Sequence, residues 1–253
     1  MAQALRALAH AAELTAGGAD GQLAGVPAPQ RLREQAELLE QSVNRVFLDA
    51  ERGCYRDPGS RGAAGYRQTS NLLPLAFGIV PPARVGAVVG NLVADIVARG
   101  DHHDCGHLGV RHLLPVLSAH GHGALAWRVL TAPGAPGWRD WLEAGNSTFM
   151  EMWESPRSCS HYFMGTPVTW IHEQVAGLRR GPDGWRDLVV APDPDVPVGR
   201  IALARWTELG EVVVEVDREQ REVTVVVPDG ARAQLVLPGL TRSLGAGRHR
   251  AGW

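Results

Sequence analysis

The chain has 253 residues, 45% hydrophobic and 21% charged, enough for one large domain or two unequal ones with a sizeable core. Twenty-five basic residues, all arginine, against 27 acidic ones leave a formal charge of −2, which speaks against a general nucleic-acid or membrane-surface binder. No apolar run nears the ~18 residues of a membrane span, the first residues lack the apolar core of a signal peptide, and Cys54, Cys105 and Cys159 are too few for a disulfide scaffold, so a reducing, cytoplasmic setting is the expectation.

Helical spacing dominates the first part of the chain. It predicts helices over 2–14, 68–78, 108–120, 122–131 and 161–178. Leu32, Ala36, Leu39, Val43, Val46 and Phe47 form one apolar stripe, and Val85, Val88, Val89, Leu92, Val93 and Ile96 another. Pro82 opens the second of these helices and Gly100 lies just past its end. The Gly- and Pro-rich breaks GGADGQLAGVPAP, YRDPGSRGAAG and TAPGAPG point to helical hairpins packed as neighbours.

Past residue 180 the period changes to two. WRDLVVAP, GRIALARWT, EVVVEVD, EVTVVVP and AQLVLPG are short, rich in β-branched residues and separated by turn residues. They predict a small antiparallel β-sandwich. The expected fold is mainly α with a β appendage: a helical domain over 1–180 and a β domain over 181–253.

Three polar clusters could carry chemistry. DHHDCGH (101–107) holds His102, His103, Asp104, Cys105 and His107. His103 and His107 have the spacing of two ligands on one helical face, and all of these residue types bind zinc. Gly100 and Gly106 argue against a continuous helix there, so a loop lining a polar cleft is the plainer reading. WRDWLEAGNSTFMEMWES (138–155) gathers Trp138, Trp141 and Trp153 with Asp140, Glu143, Glu151 and Glu154. Aromatic faces stack on sugar rings and carboxylates do acid–base work on glycosidic bonds, while a Trp-rich core helix with surface acids would show the same composition. SCSHYFMGTPVTWIHE (158–173) places His161 at a helix start, with Ser158 or Ser160 as a possible cap.

The order and spacing of these clusters resembles bacterial α-L-rhamnosidases of glycoside hydrolase family 78. RQTSNLLPLAFGIVP is similar to the family's "QTxxALALxxGLVP", and RGDHHDCGHLGVRHLLPVLSAHG to "GGHLTTGFLGTxxLLPVLxxxG". GAPGWRDWLEAGNSTFMEMWES resembles "YPSWGYMLxxGATTIWERWD", SCSHYFMGTPVTWIHEQVAGL resembles "SFNHYAFGAVGEWLYxxVAGI", and VPDGARAQLVLPG resembles the family's last strands.

The resemblance implies part of an (α/α)6 toroid of six helical hairpins, followed by a C-terminal β-sandwich. It implies inverting hydrolysis of terminal α-L-rhamnose without a cofactor or metal. Glu151 falls on the family's general base. Trp138, Trp153 and His161 fall on residues that line the sugar site, and His102 on a cleft histidine. Met150, Met152, Ser160, Asp104, Cys105 and His107 depart from the pattern, which bears on substrate choice.

The family's upstream "DCPxRDERxGWxGD", which supplies the general acid, has no counterpart in this sequence. The chain is therefore expected to be truncated relative to the family. Without that motif, Asp101, Asp104, Glu143 and Glu154 are acids near enough in sequence to substitute. Two other readings stand beside a rhamnosidase unit: a non-catalytic remnant or carbohydrate-binding module, and one half of a split enzyme whose partner chain completes the toroid.

Overall fold

A computed structural model describes residues 1–16, 25–57, 65–154 and 157–253, with the side chains of residues 15 and 16 excepted. The chain forms two compact units, Met1–Asp95 and Ile96–Trp253. Among the described residues, no helix is long and apolar enough to cross a membrane.

The first unit opens with α1 (Ala2–Ala16) packed on α2 (Pro29–Phe47). The pair runs antiparallel, because Arg6 meets Glu40 at 2.6 Å and Arg33 pairs with Glu13 farther along. Ala2, Ala9 and Ala12 of α1 and Leu32 and Ala36 of α2 are buried. A two-rung hairpin follows, β1 (Leu48–Asp49) with β2 (Cys54–Tyr55). Sequence spacing alone gave no sign of it.

The buried Asn71 of α3 (Gln68–Ala76) holds the hairpin in place. Its side chain accepts from Tyr55 N–H at 2.8 Å and donates to Tyr55 C=O at 3.2 Å, as a neighbouring strand would. A 3-10 turn at Pro82–Arg84 leads into α4 (Val85–Ala98). The expected helix start at Pro82 is thus one turn of tighter helix.

The second unit holds α5 (His107–Ala119), α6 (Gly123–Thr131) and the short α7 (Trp138–Glu143). The helix expected over 161–178 is broken into three pieces. These are a 3-10 turn at Tyr162–Gly165, α8 (Thr166–Trp170) and a π turn at Ile171–Val175. Pro167 sits in the first turn of α8, where its missing N–H has no helical partner to lose. Trp170 anchors the segment by donating to Ser118 Oγ of α5 at 3.0 Å.

Eight strands follow: β3 (Leu178–Gly181), β4 (Gly184–Val190), β5 (Arg200–Thr207), β6 (Gly210–Asp217), β7 (Glu222–Val227), β8 (Arg232–Leu237), β9 (Leu240–Leu244) and β10 (Gly247–Gly252). They form two four-stranded sheets, β3-β4-β8-β9 and β10-β7-β6-β5. Alternation does what period two predicts. Val212, Val214 and Val216 of β6 and Ala233, Leu235 and Leu237 of β8 enter one core with Leu188, Val223 and Val225. The pairing is antiparallel except between β4 and β8, which run parallel with Leu188 opposite Ala233. Fully burying each such aliphatic side chain contributes about 1.5–3 kcal/mol.

Candidate active site

The segment from Asn146 to His161 has no regular structure where it is described, so side chains and isolated backbone bonds must hold it. Glu151 N–H donates to Ser158 C=O at 2.9 Å, and His161 N–H donates to Phe149 C=O at 2.9 Å. These two rungs lay Glu151 and His161 on facing arms of one loop. His107, the first residue of α5, donates from Nε2 to the Glu151 carbonyl. The same imidazole stacks on His161, with ring centroids 4.7 Å apart and 26° between planes.

Glu151 is thus gripped by its backbone on both sides. Its carboxylate makes no hydrogen bond or ion pair among the described residues. The His161 ring carries a buried Nδ1 that also lacks a partner among the described residues. Buried polar atoms are rarely left unsatisfied, so a buried ring nitrogen with no partner among the described residues has the character of a group that takes a polar ligand. Tyr162 and Phe163 extend the stacked rings, and Tyr162 is exposed.

The tryptophans form the floor. Trp153 is half-buried and donates from Nε1 to Cys105 C=O at 2.8 Å. Trp141 stacks on it at 4.5 Å, and Trp138 meets it edge-on at 5.3 Å. Trp138 is buried and donates to Met164 C=O at 2.8 Å, so its ring supports Trp153 rather than facing solvent. A predominantly apolar cavity of about 430 Å³ lies between α6, α7 and α8, lined in part by Trp138 and Trp141 but not by Glu151.

The two adjacent histidines of the first cluster separate. The His102 ring nitrogens face the carbonyls of Gly100 at 2.9 Å and Pro133 at 3.1 Å, which ties two loops together. His103 is buried, 4.8 Å from the Trp153 ring and 5.5 Å from that of Trp138. Its Nδ1 accepts Cys105 N–H at 3.2 Å, which assigns the neutral ring with its proton on Nε2. Burial, and then the neighbouring His102, push its pKa down to about 4. Among the described residues, no group of three His, Cys, Asp or Glu side chains could hold a metal ion.

Neither serine caps the turn after His161. Ser158 Oγ instead bonds the backbone of Ser160, and His161 itself is the extended residue before the turn. The acids near the site are engaged differently from Glu151. Asp101 takes two hydrogen bonds from Arg128, at 2.8 and 3.3 Å. Glu143 pairs with Arg139 at 2.6 Å, Asp104 lies 3.7 Å from Arg99, and Glu154 is exposed.

Comparison with known proteins gives this geometry a setting. The sequence model of the bacterial α-L-rhamnosidase six-hairpin glycosidase domain matches residues 2–175, and that of the bacterial α-L-rhamnosidase C-terminal domain matches residues 177–252. The chain belongs to the bacterial α-L-rhamnosidase family. An α-L-rhamnosidase of Streptomyces avermitilis is 33% identical over 154 residues, covering 56% of this chain and 15% of that protein. One of Formosa agariphila is 27% identical over 245 residues, covering 91% of this chain and 25% of that protein.

Solved α-L-rhamnosidases share the fold. The structure from Dictyoglumus thermophilum superposes with a TM-score of 0.84 at 22% identity, over 97% of this chain and 30% of that one. The Streptomyces avermitilis enzyme, solved in complex with L-rhamnose, gives 0.77 at 24% identity, over 97% and 26%. The chain therefore spans between about one seventh and one third of the length of these α-L-rhamnosidases.

Two residues of this candidate site, His103 and His107, have the spacing of metal ligands in the sequence but no role there in a sugar site. His107 counted there as a departure from the family pattern, yet it joins Glu151 to His161. His103 stands beside the family-matched His102 in a run of consecutive polar residues, and only the turn of the loop distinguishes them. Asp101 and Gly100 both adopt positive φ, 63° and 71°, and this reversal directs His103 inward.

Proposed function

We propose that the chain forms part of an inverting α-L-rhamnosidase in which Glu151 is the general base. The observation that carries this is the pairing of a backbone gripped on both sides with a carboxylate that has no partner among the described residues. Such a group can take a water molecule and hold it in one orientation, which is what general-base attack on an anomeric carbon needs. His161 offers to a sugar hydroxyl the Nδ1 that has no partner among the described residues, with Trp153 as the aromatic surface and Trp138 packed against it. His102 acts at the margin, by holding the loop that carries His103. No cofactor or metal has a step in this scheme.

Inversion needs a second carboxyl group about 6.5–9.5 Å away to protonate the leaving oxygen. Asp101 and Glu143 are bound by arginines, which fits structural carboxylates better than a proton donor. The donor is proposed to come from a further segment of the enzyme, whether in one longer chain or in a partner.

The test is the initial rate of the purified chain on an aryl α-L-rhamnoside, run beside Glu151→Gln, with an L-rhamnose titration of both. A rate lost in the variant, or rhamnose binding without turnover that an added donor segment converts to turnover, supports the proposal. A wild-type rate that Glu151→Gln leaves unchanged overturns the base assignment. No rate and no rhamnose binding from folded protein overturns the reading as a whole.

A further inference from the structure

A second cavity, of about 330 Å³, lies within the Ile96–Trp253 unit where the π turn after α8 meets β3 and β5. Each of these strands is the outer strand of its sheet. Arg179, Arg180, Arg205, His172, Glu173 and Trp185 line it with three aliphatic or hydroxyl-bearing neighbours. The Arg205 guanidinium carbon sits 4.5 Å from the Trp185 ring centroid and that of Arg180 sits 5.8 Å from it. Stacking on an indole fixes the plane of a guanidinium while leaving its N–H edge free to bind.

The arginines of the β domain differ in their pairing. Arg232, Arg248 and Arg250 each pair with an acid, Asp187, Glu215 and Glu222. Arg179, Arg180 and Arg205 form no ion pair among the described residues, although Glu173 shares their cavity. Three guanidiniums against one carboxylate leave the cavity strongly positive. Burial first, and then Arg205, hold the His172 pKa below the usual range, with Glu173 opposing. Two guanidiniums fixed on one ring present the forked donor sets that match a carboxylate or sulfate.

We propose that this cavity binds an oxyanion carried on a small saccharide, the carboxylate of a uronic acid. The volume suits one sugar unit better than an extended polymer. That the carrier is a saccharide rests on the rhamnosidase reading, whereas oxyanion binding rests on the arginines alone.

The test is calorimetric titration of the full chain, at constant ionic strength, with sodium D-glucuronate, D-glucose and sodium sulfate. Arg205→Gln and Arg180→Gln are run beside wild type, with thermal melts to show that each is folded. Saturable binding of glucuronate but not glucose, weakened about tenfold or more in either variant, supports the proposal. Sulfate binding without glucuronate binding overturns the saccharide carrier. No saturable binding of either anion, or binding that survives both substitutions, overturns the site. A parallel L-rhamnose titration reports the Glu151 site separately. The arginine variants should leave it unchanged, so a failure there strikes the proposed function and not this cavity.

Discussion

His107 and His161 stack with ring centroids 4.7 Å apart and 26° between their planes, and the same His107 ring donates to the backbone carbonyl of Glu151. One imidazole at the start of α5 therefore sets both the proposed base and the proposed sugar contact. Where it is described, the loop carrying Glu151 has no ladder of its own, so its position depends on a few such anchors.

His107→Phe keeps a ring for the stack but removes the donor, and His107→Ala removes both. Misplacing a reacting group by about 1 Å costs on the order of 10²-fold. Both variants should lower turnover or rhamnose affinity by roughly that factor, and His107→Ala should also weaken the His161 side of the site. Their melting temperatures should stay close to wild type, because the bond lost lies in a half-buried loop. A wild-type rhamnose titration in His107→Phe would show that the carbonyl anchor is dispensable.

Burial gives a second prediction, at His103. The folded ring binds a proton only near pH 4, whereas the unfolded ring does so near 6.5, its ordinary value. Between those values the unfolded state holds more protons, so stability rises with pH. The contribution is present in full above about pH 6.5 and is lost progressively as pH falls through about 4. Its size is on the order of 3 kcal/mol. His112, His120 and His172 are also held low by burial and add to the same slope. Urea denaturation at pH 7.5, 6 and 5 of wild type and His103→Met isolates the His103 share. The variant should be less stable at pH 7.5 and lose less between 7.5 and 5. Parallel curves for the two proteins would refute the assignment.

How far the sequence reveals the structure depends on whether a feature is local. The valines of β6 and the stripe of α4, with Val88, Leu92 and Ile96 buried, were legible because burial follows a fixed period there. LTRSL and GRHRAG, which form β9 and β10, lack that alternation and escaped notice. The parallel pairing of β4 with β8 is set by contacts more than 40 residues apart, which no local pattern encodes. The break over 161–178 follows from Gly165 and Pro167 only once their place against α5 is known. In the site, Glu151, Trp153 and His161 stood out through motif resemblance. The Asp101 reversal that separates His103 from His102 had no such signal.

Gly177 joins the π turn to β3 with φ at +81°, and a β-carbon there would come within 2.2 Å of Pro192 N. The left-handed backbone alone costs a side-chain-bearing residue about 1–2 kcal/mol, and the clash adds to it. Gly177→Ala should therefore destabilise the chain by more than about 2 kcal/mol, read as a lower urea midpoint. Gly184→Ala, which also has positive φ but meets nothing within 4 Å, should cost only the backbone share. Equal losses in the two would mean that Pro192 moves aside.

Arg218 is a further structural anchor, and it shows why charge alone does not hold this unit together. It follows β6 and is half-buried, and its guanidinium donates to three backbone carbonyls. These are Val198 at 2.8 Å, Asp193 at 3.0 Å and Val175 at 3.3 Å. Val175 ends the π turn, so one side chain ties the helical segment to two loops of the β domain. Burial holds its pKa below the ordinary arginine value, with Asp193 opposing, yet a guanidinium stays charged at any working pH. Arg218→Met would leave three carbonyls without their donor, at a cost of about 2–4 kcal/mol after some recover water. Arg218→Lys keeps the charge but not the planar fork, and an ammonium on a flexible stem cannot reach three diverging carbonyls at once. Both variants should therefore lose stability by similar amounts in urea denaturation. A lysine variant as stable as wild type would show that the charge, and not the fork, makes the connection.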